Sequence, residues 1–484
     1  MSDIKKKTVL DSFFMIVNSG FSQILQTVKG IIVSKFLGPV NLGIWSNLML
    51  IVSYADFLQL GTLQVLTRDY PREKAKGNEE ECQKLVDTNF TYHIIIGLIF
   101  FLGIIIYTFI FFNSITPVFR WGLLTIGFLF LLMRIYEFIS RTIRAFDKIK
   151  EIMVSGIVFS ICIVITGIIL TYYFQLYGLF LSMLITYIIS IIFILIYVPF
   201  KFKFDFDTKK IGYIIIAGLP IMLVNFFYSL VRSIDKVFIL AFLNHEDLGY
   251  YHFSIMITGF FMMVPFAIAS QMFPKLSFKF GSVTDKKQMF NFVFKPTLGL
   301  SYFEFFITGY GLIGVPFLIN LFLPEYRESI PPFEIISVGL FFLSISGIIG
   351  NFLIVIHRQN DILKVSIATL IICLITDYVF LKLGYGISGV ALGTSITYVF
   401  YGLGVIFYGM KNVTDDFKII FRSISKISVP MLLCFAGVLM YYGIEKYFCL
   451  NGNLIYLQRF VIFSIVALPT GAYYYFKHYR HEMK

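Results

Sequence analysis

Residues 34–45 read SKFLGPVNLGIW and residues 240–251 read LAFLNHEDLGYY. Each contains Phe-Leu, four residues with turn chemistry, then Leu-Gly, and the second copy follows the first by 206 positions. Glycine, proline, asparagine and aspartate supply the backbone conformations that reverse a chain. Long apolar runs flank both copies. The pair reads as one helix-connecting turn written twice, which points to an internal duplication.

The apolar runs identify the solvent. The 484 residues are 58% hydrophobic and 14% charged, with mean hydropathy +0.83. A water-soluble core cannot absorb that much apolar sequence. A bilayer can, provided each span satisfies its own backbone as a helix. About twenty residues at ~1.5 Å rise cross the ~30 Å hydrocarbon layer. Runs of that length fall near residues 13–36, 43–66, 90–112, 118–140, 152–174, 176–199, 211–242, 249–273, 294–323, 333–356, 363–383, 387–410, 427–443 and 454–476. The expected fold is an all-α integral membrane protein with about fourteen transmembrane helices.

A net charge of +12 raises the question of nucleic acid, but no nucleic-acid-binding motif is present. The cations instead gather on one side of the expected membrane. They include Arg68, Arg72, Lys74 and Lys76; Arg141, Arg144, Lys148 and Lys150; Lys203, Lys209 and Lys210; Lys275 and Lys286; Arg358 and Lys364; and Lys411, Lys418, Arg422 and Lys426. The opposite loops hold little more than Arg327, Lys382 and Lys446. By the positive-inside effect the basic side is cytoplasmic, and both termini are expected there. No loop is long enough for a soluble catalytic domain, and the outer loops offer only NHED and PEYRES, so no enzyme and no catalytic residue is expected. The five cysteines, Cys82, Cys162, Cys373, Cys434 and Cys449, lack metal-ligand spacing and read as unpaired buried thiols. No metal site or cofactor is expected. The basic start MSDIKKKTVL lacks the pattern of a removable signal peptide.

Six expected helices separate the two copies of the turn, and an even number preserves topology. The expectation is two parallel six-helix repeats, 1–205 and 206–412, followed by two additional peripheral helices in 413–484. Further matches support it. Gln64 precedes Arg68 as Gln271 precedes Lys275, RAFDKIK at 144–150 resembles RQNDILK at 358–364, and Thr186-Tyr187 resembles Thr397-Tyr398.

Polar groups inside a membrane are costly, so their placement is informative. Ser19, Ser22, Gln23, Gln26 and Lys29 recur at helical spacing, and the same positions shifted by 206 are Asn225, Tyr228, Ser229, Arg232 and Asp235. Two readings are open: both stripes line one water-filled cavity, or they are hydrogen-bonding glue between helices. Matching placement and surplus charge favour the cavity. Gln26, Lys29, Asn225, Ser229, Arg232 and Lys236 are the candidate substrate-binding residues, and their surplus of cations suits an anion such as phosphate. Arg232 and Asp235 stand three apart and can neutralise each other. Asp56, Asp235 and Glu304 are the candidate ion-coupling residues, with Asp377 a weaker one. Arg134 and Glu137 read as snorkelling side chains near the end of their span. Pro220 and Pro265 lie within spans and are candidate kinks.

With these residues in place, the stretches VSKFLGPVNLGIWSNLMLI (33–51) and SIDKVFILAFLNHEDLGYYHFSIMI (233–257) resemble the bacterial polysaccharide exporters and O-antigen flippases. Those belong to the superfamily that also holds the multidrug and toxic-compound extruders and the lipid II flippases. The resemblance implies translocation of an undecaprenyl-pyrophosphate-linked oligosaccharide across the bacterial cytoplasmic membrane, with coupling to a sodium or proton gradient in some members. It further implies that Lys29, Arg232 and Lys236 contact pyrophosphate, while Gln26, Asn225 and Ser229 bond phosphate or sugar. The implied partners are the lipid-linked glycan, membrane lipids, and a glycan polymerase with glycosyltransferases. Nucleic acid is not among them, and a monomer is expected. The alternative is a cation-coupled multidrug or metabolite extruder of the same superfamily.

Overall fold

The structure, a computed structural model, describes residues 2–196, 202–282, 286–445 and 454–478; Lys446 and Cys449 lie outside them. The described residues form fifteen α-helices: α1 Ser2–Ala55, α2 Thr62–Ala75, α3 Glu79–Ile110, α4 Pro117–Ala145, α5 Ile149–Leu195, α6 Thr208–Val231, α7 Ile234–Phe242, α8 His245–Phe261, α9 Met263–Ser282, α10 Lys286–Phe322, α11 Ile330–Val355, α12 Gln359–Lys382, α13 Gly386–Lys411, α14 Phe417–Glu445 and α15 Leu454–His478. Eleven helical stretches are long and apolar enough to cross a membrane, or twelve if α8 and α9, bent by 47°, form one span. The bend falls just before Pro265, whose missing N–H and ring break the helical ladder.

Two of the long helices reverse within themselves. On a straight helix Thr166 and Thr186 of α5 would stand about 30 Å apart, yet their hydroxyls are 3.2 Å apart. The reversal is at Gln175, where φ is 50° and ψ −127°. In α1 the break is Gly38, with φ 69° and ψ 169°. Pro39 follows, at a helix start where its absent N–H costs nothing. The first half of α1 runs alongside the first half of α5, pairing Ser22 with Ser160 at 2.8 Å and Phe36 with Tyr172 at 5.3 Å between rings. The second half runs alongside α4, placing Leu48 against Gly122 and Asp56 against Arg134. Helix α4 is itself antiparallel to the first half of α5, with Tyr136 meeting Ser155 and Phe159. The two halves of α1 are therefore antiparallel.

The chain divides into two compact units, Met1–Ser229 with Asn244–Gly249, and Leu230–Leu243 with Tyr250–Lys484. The first unit has a core of Leu63, Leu66, Val86, Phe138, Ile143 and neighbours. At its basic end the segment 202–213 is pinned to α2 and α3. Lys203 N–H donates to Asp87 (3.0 Å), Asp205 N–H to Thr91 Oγ1 (2.8 Å) and Tyr213 OH to Asp69 (2.9 Å). Lys210 pairs with Glu81. In the second unit α11 is the buried centre, apolar on every side, as a core helix must be. Small residues let its neighbour approach: Gly339 meets the Ser395 backbone and Gly402 the Phe342 backbone. Helices α14 and α15 pack on α10, with Tyr302 and Tyr474 stacked at 4.2 Å and Asn320 bonded to Tyr456 at 2.7 Å.

The connections after α4 and α11 share one backbone device. Lys148 N–H bonds the Ile143 carbonyl and Asp147 N–H the Arg144 carbonyl; Arg358 N–H bonds Leu353 and His357 N–H bonds Ile354. Each is a Schellman closure with a non-glycine left-handed residue, Asp147 or His357, at φ 59°. This corrects the register read from RAFDKIK and RQNDILK. Asp147 is equivalent to His357, not to Asp361, because the turn geometry rather than the letter match fixes the alignment.

Candidate functional site

In the first unit the face of α1 bearing Gln23 and Gln26 is exposed, and Lys29 is half-buried. The Lys29 stem lies over Gly167 of α5, where a Cβ would stand 3.1 Å from Lys29 Cδ. Asn225 on α6 is exposed and Ser229 half-buried. The expected span over 211–242 is broken: α6 ends at Val231 and α7 starts at Ile234. Arg232, exposed, sits in that break, and Asp235 and Lys236 open α7 in the second unit. A broken helix leaves backbone donors and acceptors without intrahelical partners, which is the arrangement that transport proteins place at ion and substrate sites. The second stripe is thus divided, with Asn225 and Ser229 on α6, Arg232 in the break and Asp235 and Lys236 at the start of α7.

Asp235 is fully buried. It accepts hydrogen bonds from Tyr251 OH (2.6 Å), Thr394 Oγ1 (3.4 Å) and the Lys236 N–H (2.8 Å). Tyr251 and Thr394 also bond each other at 2.9 Å. The expected internal pairing of Arg232 with Asp235 is not what satisfies this carboxylate. A second buried acid, Asp377 on α12, lies near enough for the two charges to interact. Its Oδ2 accepts from Cys373 Sγ at 3.4 Å, and its Oδ1 has no partner among the described residues. Two carboxylates, a phenol and a hydroxyl inside a membrane domain can share a proton or hold one small cation. The partner of Asp377 is 142 positions away in sequence and on another helix, so no local pattern announces it.

Arg134 corrects another expectation. It does not snorkel: its side chain is 0% exposed, and it donates to both Asp56 and Glu137 (2.9 Å for the latter). It lies eleven residues before the end of α4, about 16 Å along the axis, too deep for the side chain to reach water. Asp56, the first ion-coupling candidate, is therefore held by a buried guanidinium and by Gln59 Nε2 at 3.0 Å. The third candidate, Glu304 on α10, is buried beside Ser344, and its Oε1 has no partner among the described residues. The described cysteines are free thiols: Cys82, Cys373 and Cys434 are buried and Cys162 half-buried. Among the described residues no group of three or more His, Cys, Asp or Glu is placed to hold a metal ion.

The helical hairpins, the broken seventh segment and the buried intramembrane acids define a multi-pass membrane protein with a transporter fold. The match to solved structures agrees. The lipid II flippase MurJ, in an inward closed conformation, superposes with a TM-score of 0.71 at 16% identity, covering 97% of this chain and 100% of the flippase. An inward-facing multidrug resistance MATE family transporter of the MOP superfamily gives 0.68 at 14% identity, covering 83% and 96%. A MOP superfamily transporter from Pyrococcus furiosus, described as having a binding pocket of reversed polarity, gives 0.59 at 13% identity, covering 83% and 95%. An uncharacterized membrane protein of Methanocaldococcus jannaschii is 26% identical over 270 residues, which span 52% of this chain and 62% of that protein's length. The family profile described as polysaccharide biosynthesis protein matches residues 8–278. The chain belongs to the polysaccharide biosynthesis protein family, and its fold is that of the MOP-superfamily transporters.

Proposed function

We propose that the protein is a flippase for a polyprenyl-pyrophosphate-linked oligosaccharide in a bacterial cytoplasmic membrane, working by alternating access of two parallel six-helix repeats. Fourteen crossings follow if α1 and α5 each cross twice and α8–α9 once. The repeats are 1–205 and 206–412, and 413–484 adds two helices. The family match carries this reading, since its description is polysaccharide biosynthesis. Coverage adds to it: the lipid II flippase fold spans 97% of the chain, whereas the multidrug transporter spans 83%. The uncovered 17% is close to the share of residues 413–484, 72 of 484.

In this reading Lys29, Arg232 and Lys236 contact pyrophosphate, and Gln26, Asn225 and Ser229 bond phosphate or sugar. An arginine offers a planar fork that matches phosphate in a bidentate geometry. Asp235, together with Asp377, is the coupling site for a proton or sodium ion. Asp56 and Glu304 are secondary coupling candidates. A glycan polymerase and glycosyltransferases are the expected partners, and the protein acts as a monomer. The test is binding to the purified protein. A polyprenyl pyrophosphate should bind in preference to lipophilic cations, with affinity reduced at least tenfold in the Lys29→Ala/Arg232→Ala variant. The reverse preference would assign the protein to the alternative, a cation-coupled multidrug or metabolite extruder, which the multidrug structural matches and the buried acid pair support.

A further inference from the structure

Helix α14 carries a feature that translocation does not use. Its inward face is Ile420, Ser423, Ile427, Met431 and Cys434, all buried. Its outward face changes character along its length. From Phe417 to Lys426 that face presents two adjacent rows, Phe417/Phe421/Ser425 and Lys418/Arg422/Lys426, which line a shallow groove of about 590 Å³. From Val429 onward the large exposed residues are Val429, Leu432, Phe435 and Met440. Positions four apart stack on a helix surface, so each row is continuous.

The switch from cations to hydrocarbon side chains, on a single exposed face, marks the boundary between headgroups and acyl chains. The cation row is about 12 Å long, enough to cross the headgroup layer of roughly 5–8 Å on each side of the membrane. Phe417 and Phe421 are 66% and 76% exposed, more than water tolerates cheaply but suited to the membrane interface beside the cations. Among the described residues none of the three cations forms an ion pair with the chain. The adjacent Asp416 is used locally, its carboxylate accepting the Lys418 N–H at 2.8 Å as a helix cap.

We propose that this face of α14 is a binding site for an anionic phospholipid. Its phosphodiester is held among Lys418, Arg422 and Lys426, and its acyl chains lie along Val429, Leu432 and Phe435. Three cations along about 12 Å of one exposed face attract a counter-charge, and the phosphates of the lipid lie in that layer. The site shares no residue with the proposed translocation path. It rests on the family and the multi-pass fold, and on the proposed orientation only for naming the cytoplasmic leaflet.

The experiment uses the full-length protein in nanodiscs of phosphatidylcholine doped with phosphatidylglycerol, the same mixture in both leaflets, so that orientation does not enter. Native mass spectrometry reads the retained phosphatidylglycerol relative to phosphatidylcholine. Each cation removed should lower that selectivity roughly fivefold at low salt, following about 1 kcal/mol per basic residue at an anionic surface. The variant is Lys418→Gln/Arg422→Gln/Lys426→Gln. A control, Lys74→Gln/Lys76→Gln, alters exposed cations elsewhere and should leave selectivity unchanged. The proposal is overturned if the triple variant retains phosphatidylglycerol as the parent does, or if the control loses it equally. It is also overturned if inorganic phosphate or a polyprenyl pyrophosphate displaces phosphatidylglycerol from the parent at lower concentration than phosphatidylglycerol itself binds. Glycan translocation is not the readout, so failure of the flippase reading would leave this result interpretable.

Discussion

Gly43 lies against Gly249. A Cβ on Gly43 would run into the His245 carbonyl and stand 3.0 Å from the Gly249 nitrogen, and a Cβ on Gly249 would run into the Pro39 carbonyl. These are the closing glycines of SKFLGPVNLGIW and LAFLNHEDLGYY. The repeated turns therefore meet, each glycine admitting the other copy's backbone. Asn47 Nδ2 reaches His245 Nε2 at 3.3 Å across the same contact.

Gly43→Ala and Gly249→Ala should each cost about 1–3 kcal/mol of stability, because backbone rather than a flexible side chain occupies the space. Thermal unfolding in detergent measures the loss. Under the proposed orientation both turns face outward, so either variant should also raise the labelling of a cysteine introduced at Asn47 by an impermeant thiol reagent. Unchanged labelling would show that this contact does not shield position 47.

Arg134 is the structural centre of its acid pair. Removing it takes the shared cation from Asp56 and Glu137, each about a third exposed, and leaves a buried space, so Arg134→Ala should cost about 1–3 kcal/mol, less than breaking a fully buried pair. Glu137→Gln, which keeps a hydrogen-bond acceptor, should cost less. Denaturation of both variants and of the double variant gives the coupling energy.

The buried pair Asp235 and Asp377 should behave as one unit. Asp235→Asn and Asp377→Asn should each reduce gradient-driven transport by at least tenfold while leaving expression and folding intact, and the double variant should be little worse than either. Thr394→Val, removing one bond to Asp235, should have a smaller effect. Transport in proteoliposomes under imposed sodium and proton gradients separates the two ions.

Asp69 gives a pH test outside the membrane. Burial works against its charge, but hydrogen bonds from Arg68 and Tyr213 outweigh burial and hold its pKa below the ordinary carboxylate value. A lowered folded-state pKa means the stabilisation is present above the unfolded value of about 3.9 and is lost as pH falls through the folded value. Asp69→Asn should therefore lower the unfolding temperature at neutral pH, and the difference from the parent should vanish in acid. A gap that persists unchanged below pH 3 would contradict the assignment.

Composition and run length disclosed the helical membrane fold, because a bilayer leaves a chain few alternatives. The repeated turn was legible for a similar reason: Gly38 and Pro39 have backbone constraints that show in the letters. The break at Arg232 was not legible, since Val231 to Ile234 reads as uninterrupted helix. Nor was the partnership of Asp56 with Arg134, or of Asp235 with Asp377. Both are long-range contacts created by packing, and neither member's neighbours reveal the other. Lys29 and Arg232 could be singled out as charges in apolar runs; their surroundings could not.

The most direct measurement is translocation itself. Purified protein in proteoliposomes should move a fluorescent polyprenyl-pyrophosphate-linked oligosaccharide between leaflets, read as protection from a membrane-impermeant quencher. Lys29→Ala/Arg232→Ala should reduce the rate at least tenfold while the protein remains folded. Equal rates in parent, double variant and empty liposomes would contradict the account.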